Sequence, residues 1–184
     1  MTPEEKFDAA AESAVRDRRE LIRFLEGISD EQAAWRPVGG EWSVAEGTEH
    51  ILITDAWVRK TMPEFLREAE KTGNWDTAPE NPRKLSAEQL RRREQGRVEA
   101  PDHLLPKGER PLSETTPLLL PSREETNKAL LPFRSYELER LVPPNSRYGD
   151  QNVYDRILYT GIHDALHQEQ MERVTRTTGY PKGA

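Results

Sequence analysis

Hydrophobic and polar positions follow a helical period in several stretches of the chain. Between Pro3 and Leu25, apolar residues recur every three or four positions and charged residues fill the other face. This pattern predicts a first helix that ends before Gly27. Because no stretch shows the sustained apolar–polar alternation of a half-buried strand, the sequence predicts an all-α protein.

The next helical stretch begins with a capping signal. Ser43 and Glu46 form an S-x-x-E capping box, in which each side chain satisfies a backbone amide at the start of a helix. Apolar residues then repeat every seven positions as far as Phe65, and Asp55 falls inside this seam. We therefore predict a long helix over Ser43–Phe65 that packs in a bundle.

The second half of the chain predicts two more long helices after a long connection. Residues Gly73–Pro121 are rich in proline and glycine and predict loops, with one short helix within Leu85–Arg97. A third long helix is expected over Ser122–Leu141, kinked or broken at Pro132, and a fourth over Asn152–Arg176. The long connection favours an antiparallel four-helix bundle with a crossover, or a loop folded over one end of it.

Composition narrows the classes of function. With 184 residues, the chain is expected to form a single domain over residues 1–184. The net charge of −6 argues against nucleic acid as the main partner, and the basic run Arg91–Arg97 is better explained as a solvated helix face. Cysteine is absent, which excludes disulfides and thiolate ligands. Without a signal peptide or a membrane-spanning apolar run, we expect a cytoplasmic protein that does not interact with membranes.

Two of the four histidines stand four residues apart in the fourth predicted helix. His163 and His167 would lie on one helix face with Cβ atoms about 5–6 Å apart, close enough to bind one metal ion. The alternative is ordinary packing, with one histidine buried and the other exposed. The pentapeptide HDALH resembles the H-E-x-x-H of zinc proteases, but no histidine follows it to complete such a site. A di-iron site is excluded because the second carboxylate-x-x-His pair is missing.

A third ligand must therefore come from an earlier part of the chain. His50 lies two turns into the second predicted long helix, whereas His103 lies in a loop bounded by prolines. We favour His50 because a helix holds a ligand more rigidly than such a loop does. Gly47, one turn before His50, is expected to leave space beside the imidazole for water or substrate.

The segments WRPVGGEWSVAEGTEHI and HDALHQEQMERV, together with the proline-bearing loop VEAPDHLLP, resemble the DinB-like (YfiT-like) metalloenzyme superfamily. The resemblance implies a four-helix bundle with one crossing connection and a divalent metal held by His50, His163 and His167. Gln170 matches the glutamine that follows the histidine pair in this family and is expected to support a ligand. Zinc or nickel is the first choice of metal, with iron or manganese as alternatives.

The resemblance also implies a function. Characterised relatives use a low-molecular-weight thiol as a nucleophile, and the metal lowers the pKa of that thiol. The chain is accordingly expected to be a thiol-dependent transferase or a hydrolase of a small molecule; the alternative is a non-catalytic metal-binding or stress-related bundle. Asp55, Tyr159 and Gln170 are the candidate catalytic or ligand-supporting residues; the alternatives are a seam acid paired with an arginine of a neighbouring helix for Asp55 and a solvated helix residue for Gln170. Ordinary helix packing is the favoured interpretation of the tryptophans, and Trp57 is the best candidate among them for a pocket wall. A homodimer is expected because family members often pair through helix faces.

Overall fold

The structure is a computed structural model that describes residues 1–86, 88–89, 100–144 and 149–182. The α-helices that lie wholly within these residues are α1 (Pro3–Leu25), α2 (Asp30–Ala34), α3 (Val44–Thr72), α4 (Leu112–Leu130) and α5 (Val153–Thr175). Two short 3-10 helices lie at Asp102–Leu104 and Leu131–Phe133. The described residues contain no strand, so the all-α prediction is confirmed. None of the helices described is long and apolar enough to cross a membrane.

Helix α1 has the bounds that the sequence pattern predicts. Thr2 and Glu5 form a capping box at its start, and Pro3 occupies a first-turn position where its missing N–H is not needed. The buried face consists of apolar residues with a single charged exception, Arg18, whose exposure is 0%. A fully buried arginine requires partners inside the protein, and these turn out to come from the other three long helices.

Helix α3 begins at the predicted capping box, with Ser43 as the N-cap and Glu46 closing it. It continues beyond the predicted end at Phe65 to Thr72, where Gly73 adopts a left-handed conformation with φ of 69°. Pro63 lies inside the helix without ending it. The additional turns bury Leu66 and Ala69, so packing compensates for the backbone hydrogen bond that the proline cannot make.

The predicted bounds of the third long helix are wrong. Helix α4 covers Leu112–Leu130, so it begins ten and ends eleven residues before the predicted Ser122–Leu141, and it contains both Pro117 and Pro121. Both prolines lie in the proline- and glycine-rich stretch Gly73–Pro121, which the sequence pattern predicts to be loops. The buried positions of α4 nevertheless recur every three or four residues along one face. Burial of that face outweighs the backbone hydrogen bonds that the two prolines cannot make. The buried residues are Leu112, Thr115, Leu119, Arg123, Thr126 and Leu130. The helix ends just before Pro132, which lies in the 3-10 turn, as the predicted break requires.

Helix α5 agrees with the sequence analysis. Asn152 is its N-cap and forms a capping box with Asp155, and Arg176 is its C-cap. The short helix expected within Leu85–Arg97 and the basic run Arg91–Arg97 fall largely or wholly outside the described residues. Only its predicted cap can be seen, because Ser86 Oγ accepts a hydrogen bond from the backbone N–H of Gln89 at 3.2 Å. The single domain over residues 1–184 stays a prediction.

The core consists of two clusters, one toward each end of the long helices. The first joins the start of α1 to the end of α3, the end of α4 and the start of α5, and includes Phe7, Leu66, Leu130 and Tyr154. The second joins the opposite ends of these helices and includes Leu25, Val44, Leu119, Met171 and Val174. Polar residues of α1, α3, α4 and α5 occupy the buried layer between the clusters, and this layer adjoins the candidate site.

Candidate metal centre

Three of the four histidines converge on one point. His50 comes from the second turn of α3, whereas His163 and His167 lie one turn apart in the middle of α5. The Nε2 atom of His163 is 3.3 Å from that of His50 and 3.1 Å from that of His167. His103 is outside this cluster: it is exposed, and its ring centroid lies 6.1 Å from that of Trp57.

Two of the imidazoles are oriented by hydrogen bonds on the nitrogen that faces away from the cluster. His50 Nδ1 lies 2.7 Å from the carbonyl oxygen of Leu104, and His167 Nδ1 lies 2.7 Å from Oε1 of Gln170. Because both partners are acceptors, each Nδ1 carries the proton. The Nε2 atoms of neutral His50 and His167 therefore present lone pairs to the cluster. The structure thus places Gln170 beside His167, the neighbour that the family resemblance implied for it.

The donor set suits a divalent metal. Two imidazole nitrogens bound to a tetrahedral ion at 2.0–2.1 Å would lie about 3.3 Å apart, and the two Nε2 separations are close to this value. When all three imidazoles are neutral, His50 and His167 carry their protons on Nδ1. The three converging Nε2 atoms then hold at most one proton, that of His163. A cation at their centre would satisfy every lone pair at once. The type and spacing of the donors are therefore compatible with a bound divalent metal ion.

The environment keeps the three histidines neutral. Burial, reinforced by nearby His50, lowers the pKa of His167 to about 3. Burial also lowers the pKa of His50, although the hydrogen bond to the Leu104 carbonyl opposes this shift. Burial lowers the pKa of His163 well below its usual value; repulsion from the other two histidines when they are protonated, and from the nearby arginines, acts in the same direction. Neutral imidazole is the form that binds metals, so the site is prepared for a cation at neutral pH.

Aromatic rings lie beside the histidines, and the tryptophan that packs against them is Trp42 rather than Trp57. Trp42 lies with its ring centroid 4.8 Å from that of His50 and 6.0 Å from that of His167, almost parallel to the latter. Trp57 instead is 41% exposed and contacts His103, so its prediction as pocket wall is wrong. Tyr159, one turn before His163, lies 6.0 Å from it between ring centroids. The sequence signal for Trp42 is its position directly before the cap of α3, in the Trp-Ser helix start that is part of the family resemblance.

The expectation of open space beside Gly47 is also wrong. A Cβ atom at this position would lie 3.1 Å from Sδ of Met171 and 3.2 Å from its Cγ. The glycine therefore allows close packing of α3 against α5 rather than room for a substrate. A polar group does reach the cluster from α3, because Oγ1 of Thr54 lies 3.5 Å from Nε2 of His50.

Asp55 belongs to a second buried polar group, which we call the charge quartet: Arg18 of α1, Asp55 of α3, Arg123 of α4 and Asp164 of α5. Arg18 binds both oxygens of Asp164 at 2.8 and 2.9 Å and donates to Asp55 at 2.9 Å. Arg123 Nη2 lies 2.9 Å from the other oxygen of Asp55 and 3.3 Å from Asp164. Both oxygens of Asp55 are thus engaged in ion pairs with arginines of neighbouring helices, which is the alternative that the sequence offered for this residue.

The charge quartet links the four long helices next to the histidines. Asp164 directly follows His163 on α5, and Asp55 follows His50 by five residues on α3. Each of the four charged residues is 2% exposed or less. Sequence reasoning offered an arginine of a neighbouring helix as a partner for Asp55, but it did not identify Arg18, Arg123 or Asp164. Each of these charges taken alone is typical of a solvated helix face. The pairing joins residues as far as 146 positions apart.

Comparisons with known proteins assign the family. The model of the DinB superfamily matches residues 14–171 of the chain. This match includes α3, α4, most of α1 and α5 as far as Met171, and therefore all three clustered histidines. Searches of curated proteins and of solved structures found no match. Because this match extends over most of the chain, the chain belongs to the DinB superfamily.

Proposed function

We propose that the protein binds a divalent metal ion through His50, His163 and His167 and acts as a metal-dependent enzyme on a small molecule. The observation that carries the proposal is the convergence of three Nε2 atoms, two of which must present lone pairs because their Nδ1 protons are engaged. Zinc or nickel suits three imidazoles, with iron or manganese as alternatives.

Three protein ligands are the number typical of a catalytic site, in which further coordination positions serve water or substrate. A bound divalent ion supplies Lewis-acid chemistry, lowering the pKa of a thiol or a water molecule so that it can act as a nucleophile. Since the chain has no cysteine, that nucleophile must come from solution. We propose a low-molecular-weight thiol, which makes the reaction an S-transfer; hydrolysis is the variant in which water takes this role.

The chain's own side chains divide the remaining tasks. Leu104 and Gln170 hold two ligand rings in place, and Trp42 packs over the same two rings and excludes water from that side. Thr54 Oγ1, close to His50 Nε2, is within reach of a nucleophile at the site and can orient its proton. Tyr159 borders His163, the one ligand that is only partly buried, and is the candidate for proton transfer.

One observation favours a second function, a metal-binding bundle without catalysis. His50 and His167 are 4% and 6% exposed, and the segment around Leu104 lies against the first turns of α3. Two surface grooves of the molecule lie between α1 and α4 and are lined by none of the three histidines. In this alternative, the metal stabilises the fold or acts as a stress sensor.

A thiol-transfer assay on metal-loaded protein separates the two functions. Zinc- or nickel-loaded protein would be incubated with a small thiol and a panel of electrophiles, and thiol consumption would be followed. We expect turnover that is lost in His167→Ala and kept in His103→Ala, which retains the cluster. Stoichiometric metal binding without turnover, for either a thiol or a hydrolysable ester, would contradict the enzymatic proposal and favour the second function.

We further propose that the four long helices form an antiparallel bundle with residues 73–111 as the crossover. Support comes from the two core clusters, in which the starts of α1 and α5 meet the ends of α3 and α4. A homodimer is also proposed, supported by the partly exposed Trp57 of α3 and Leu118 of α4, and light scattering at high concentration would test it. A monomer would contradict the dimer and leave the metal site unaffected.

A further inference from the structure

A buried glutamate lies next to the first histidine ligand and holds a segment from another part of the chain. Glu49 precedes His50 on α3 and is 6% exposed. Its Oε2 accepts hydrogen bonds from the backbone N–H groups of Lys107, at 3.0 Å, and of Gly108, at 2.8 Å. Two amides on one carboxylate oxygen form a charge-assisted pair of bonds, which are stronger than bonds between neutral groups. The carboxylate is thus committed to the backbone of that segment.

The same segment supplies the carbonyl that orients His50. We call residues Leu104–Gly108 the strap. Its first residue accepts the Nδ1 proton of His50 at 2.7 Å, and its last two residues bind Glu49. Adjacent residues of α3 therefore hold the two ends of the strap. The longest helix described in the Gly73–Pro111 connection is the three-residue Asp102–Leu104 turn, so local folding alone fixes the strap poorly.

Gly108 shows how closely the strap lies on α3. Its φ is +71°, which favours glycine, and a Cβ atom there would lie 3.2 Å from Oε1 of Glu46. Glu46 itself is held by the capping box of α3 and by an ion pair with Arg36. The strap is therefore seated against a rigid helix start, and a displacement at Gly108 is transmitted toward Leu104.

We propose that Glu49 is a positioning residue of the metal site and acts through the strap. By holding Lys107 and Gly108, it keeps the Leu104 carbonyl on Nδ1 of His50, which leaves Nε2 as the nitrogen that faces the cluster. The effect on metal affinity rests on the proposed function. The effect on the His50 tautomer does not, because it concerns the metal-free chain.

Nitrogen NMR of the histidine rings, combined with zinc affinity, tests this proposal. Long-range ¹H–¹⁵N spectra of metal-free protein report the tautomer of each ring, and competition with a chelator gives the Kd for Zn²⁺. The wild type is expected to show His50 with its proton on Nδ1. In Glu49→Ala we expect a mixture of His50 tautomers and a Kd raised about 10- to 100-fold, the usual effect of losing a group that supports a ligand.

Two variants serve as controls. Glu49→Gln keeps an oxygen acceptor for the two strap amides and is expected to restore the His50 tautomer and most of the affinity. Glu64→Ala removes an exposed glutamate from the same helix and is expected to change neither readout. If Glu49→Ala keeps both the Nδ1 tautomer and the wild-type Kd, the proposal is overturned.

A further variant covers the case in which Glu49→Ala fails to fold. Gly108→Ala displaces the strap without removing a buried charge, and it should likewise mix the His50 tautomers and raise the Kd. Unchanged readouts in a folded Gly108→Ala protein would overturn the proposal. If the wild type binds no zinc, the proposed metal function fails, and the tautomer comparison alone decides the role of Glu49.

Discussion

The histidine cluster and the charge quartet are neighbouring groups of buried polar side chains. They differ in how the free-energy cost of removing these side chains from water is offset. The quartet combines two arginines with two aspartates, so its charges compensate one another within the protein. The histidine cluster combines three groups of one kind, whose Nε2 atoms meet with at most one proton among them. The charges of the first group balance within the protein, although Nε and Nη1 of Arg123 have no hydrogen-bond partner among the residues that the structure describes. The second group carries no compensating charge and offers lone pairs that a cation could bind. The contrast distinguishes a set of paired charges from the set of unpaired donors for which we propose a metal-binding function.

The two groups also differ in what surrounds them. The quartet takes one residue from each long helix and is sealed from solvent, as expected for a group that fixes how helices pack. The histidines come from two helices, and the third element at the site is the strap, held by Glu49. A variant in the quartet should therefore change stability, and a variant in the cluster should change metal binding.

The largest expected effect is on stability, from Arg18→Ala. This change leaves Asp164 and Asp55 buried with only Arg123 to compensate them, and breaking such a buried pair costs about 3–5 kcal/mol. Urea denaturation would measure the free energy of unfolding. Arg19→Ala, an exposed neighbour, is the control and should change it by about 0.5 kcal/mol or less. A similar small change in Arg18→Ala would show that the quartet contributes little.

Asp164→Asn separates the two groups at adjacent residues. The amide keeps one acceptor for Arg18 but loses the charge, so we expect a loss of about 2–3 kcal/mol in stability. Metal stoichiometry should stay at the wild-type level, because the Asp164 side chain points to Arg18 and not to the cluster. His163→Ala, one residue earlier, should do the reverse and lose the metal. Loss of metal in folded Asp164→Asn would mean that the two groups are not independent.

The pH dependence of stability sharpens the comparison further. The folded protein holds the pKa of His50, His163 and His167 below the unfolded value of about 6.5. The unfolded chain therefore binds more protons below that pH, and the stability of the metal-free protein should fall as pH drops from 6.5 toward 5. Each histidine that is protonated only on unfolding contributes about 1.4 kcal/mol per pH unit.

Replacement of all three histidines by glutamine is the control for this pH dependence. Carboxylates titrate mainly below about pH 4.5, so they contribute little between pH 5 and 6.5. The triple variant should accordingly lose most of the slope in this window when unfolding is followed by circular dichroism. An equal slope in the wild type and the triple variant would contradict the neutral, buried state of the cluster.

The smallest expected effect is that of His103→Ala. This histidine is exposed beside Trp57 and outside the three-nitrogen cluster. Zinc affinity should be unchanged, and stability should change by about 0.5 kcal/mol or less. Calorimetric titration with zinc would detect a change in either stoichiometry or affinity, and a clear loss would place His103 at the metal.

The features that could be predicted from the sequence are those that depend on residue spacing within one helix. Capping boxes and helical periodicity locate α1, the start of α3 and α5, and the four-residue spacing of His163 and His167 identifies the metal-site candidate. The predicted bounds of α4 are wrong because residues 112–121 fall in a stretch whose proline and glycine content predicts loops, whereas burial of the inner face stabilises the helix there. Local signals fail where tertiary packing supplies the energy.

Long-range polar contacts were out of reach of sequence reasoning. Arg18 and Asp164 are ordinary charged helix residues until the fold brings them together over 146 positions. The strap is equally hidden, because its bonds to α3 use backbone groups of Leu104, Lys107 and Gly108 that carry no sequence signal. The expectation of open space beside Gly47 is wrong for the same reason, since only the fold reveals that Met171 fills that space.

Zinc titration of the wild type and of the three single histidine variants tests the central claim most directly. We predict one zinc ion per wild-type chain after exhaustive dialysis, and no stoichiometric zinc in His50→Ala, His163→Ala or His167→Ala, because two imidazoles alone hold the ion too weakly to survive dialysis. Circular dichroism would confirm that each variant is folded. A wild-type protein that retains no divalent metal, or three variants that all retain it, would contradict the account.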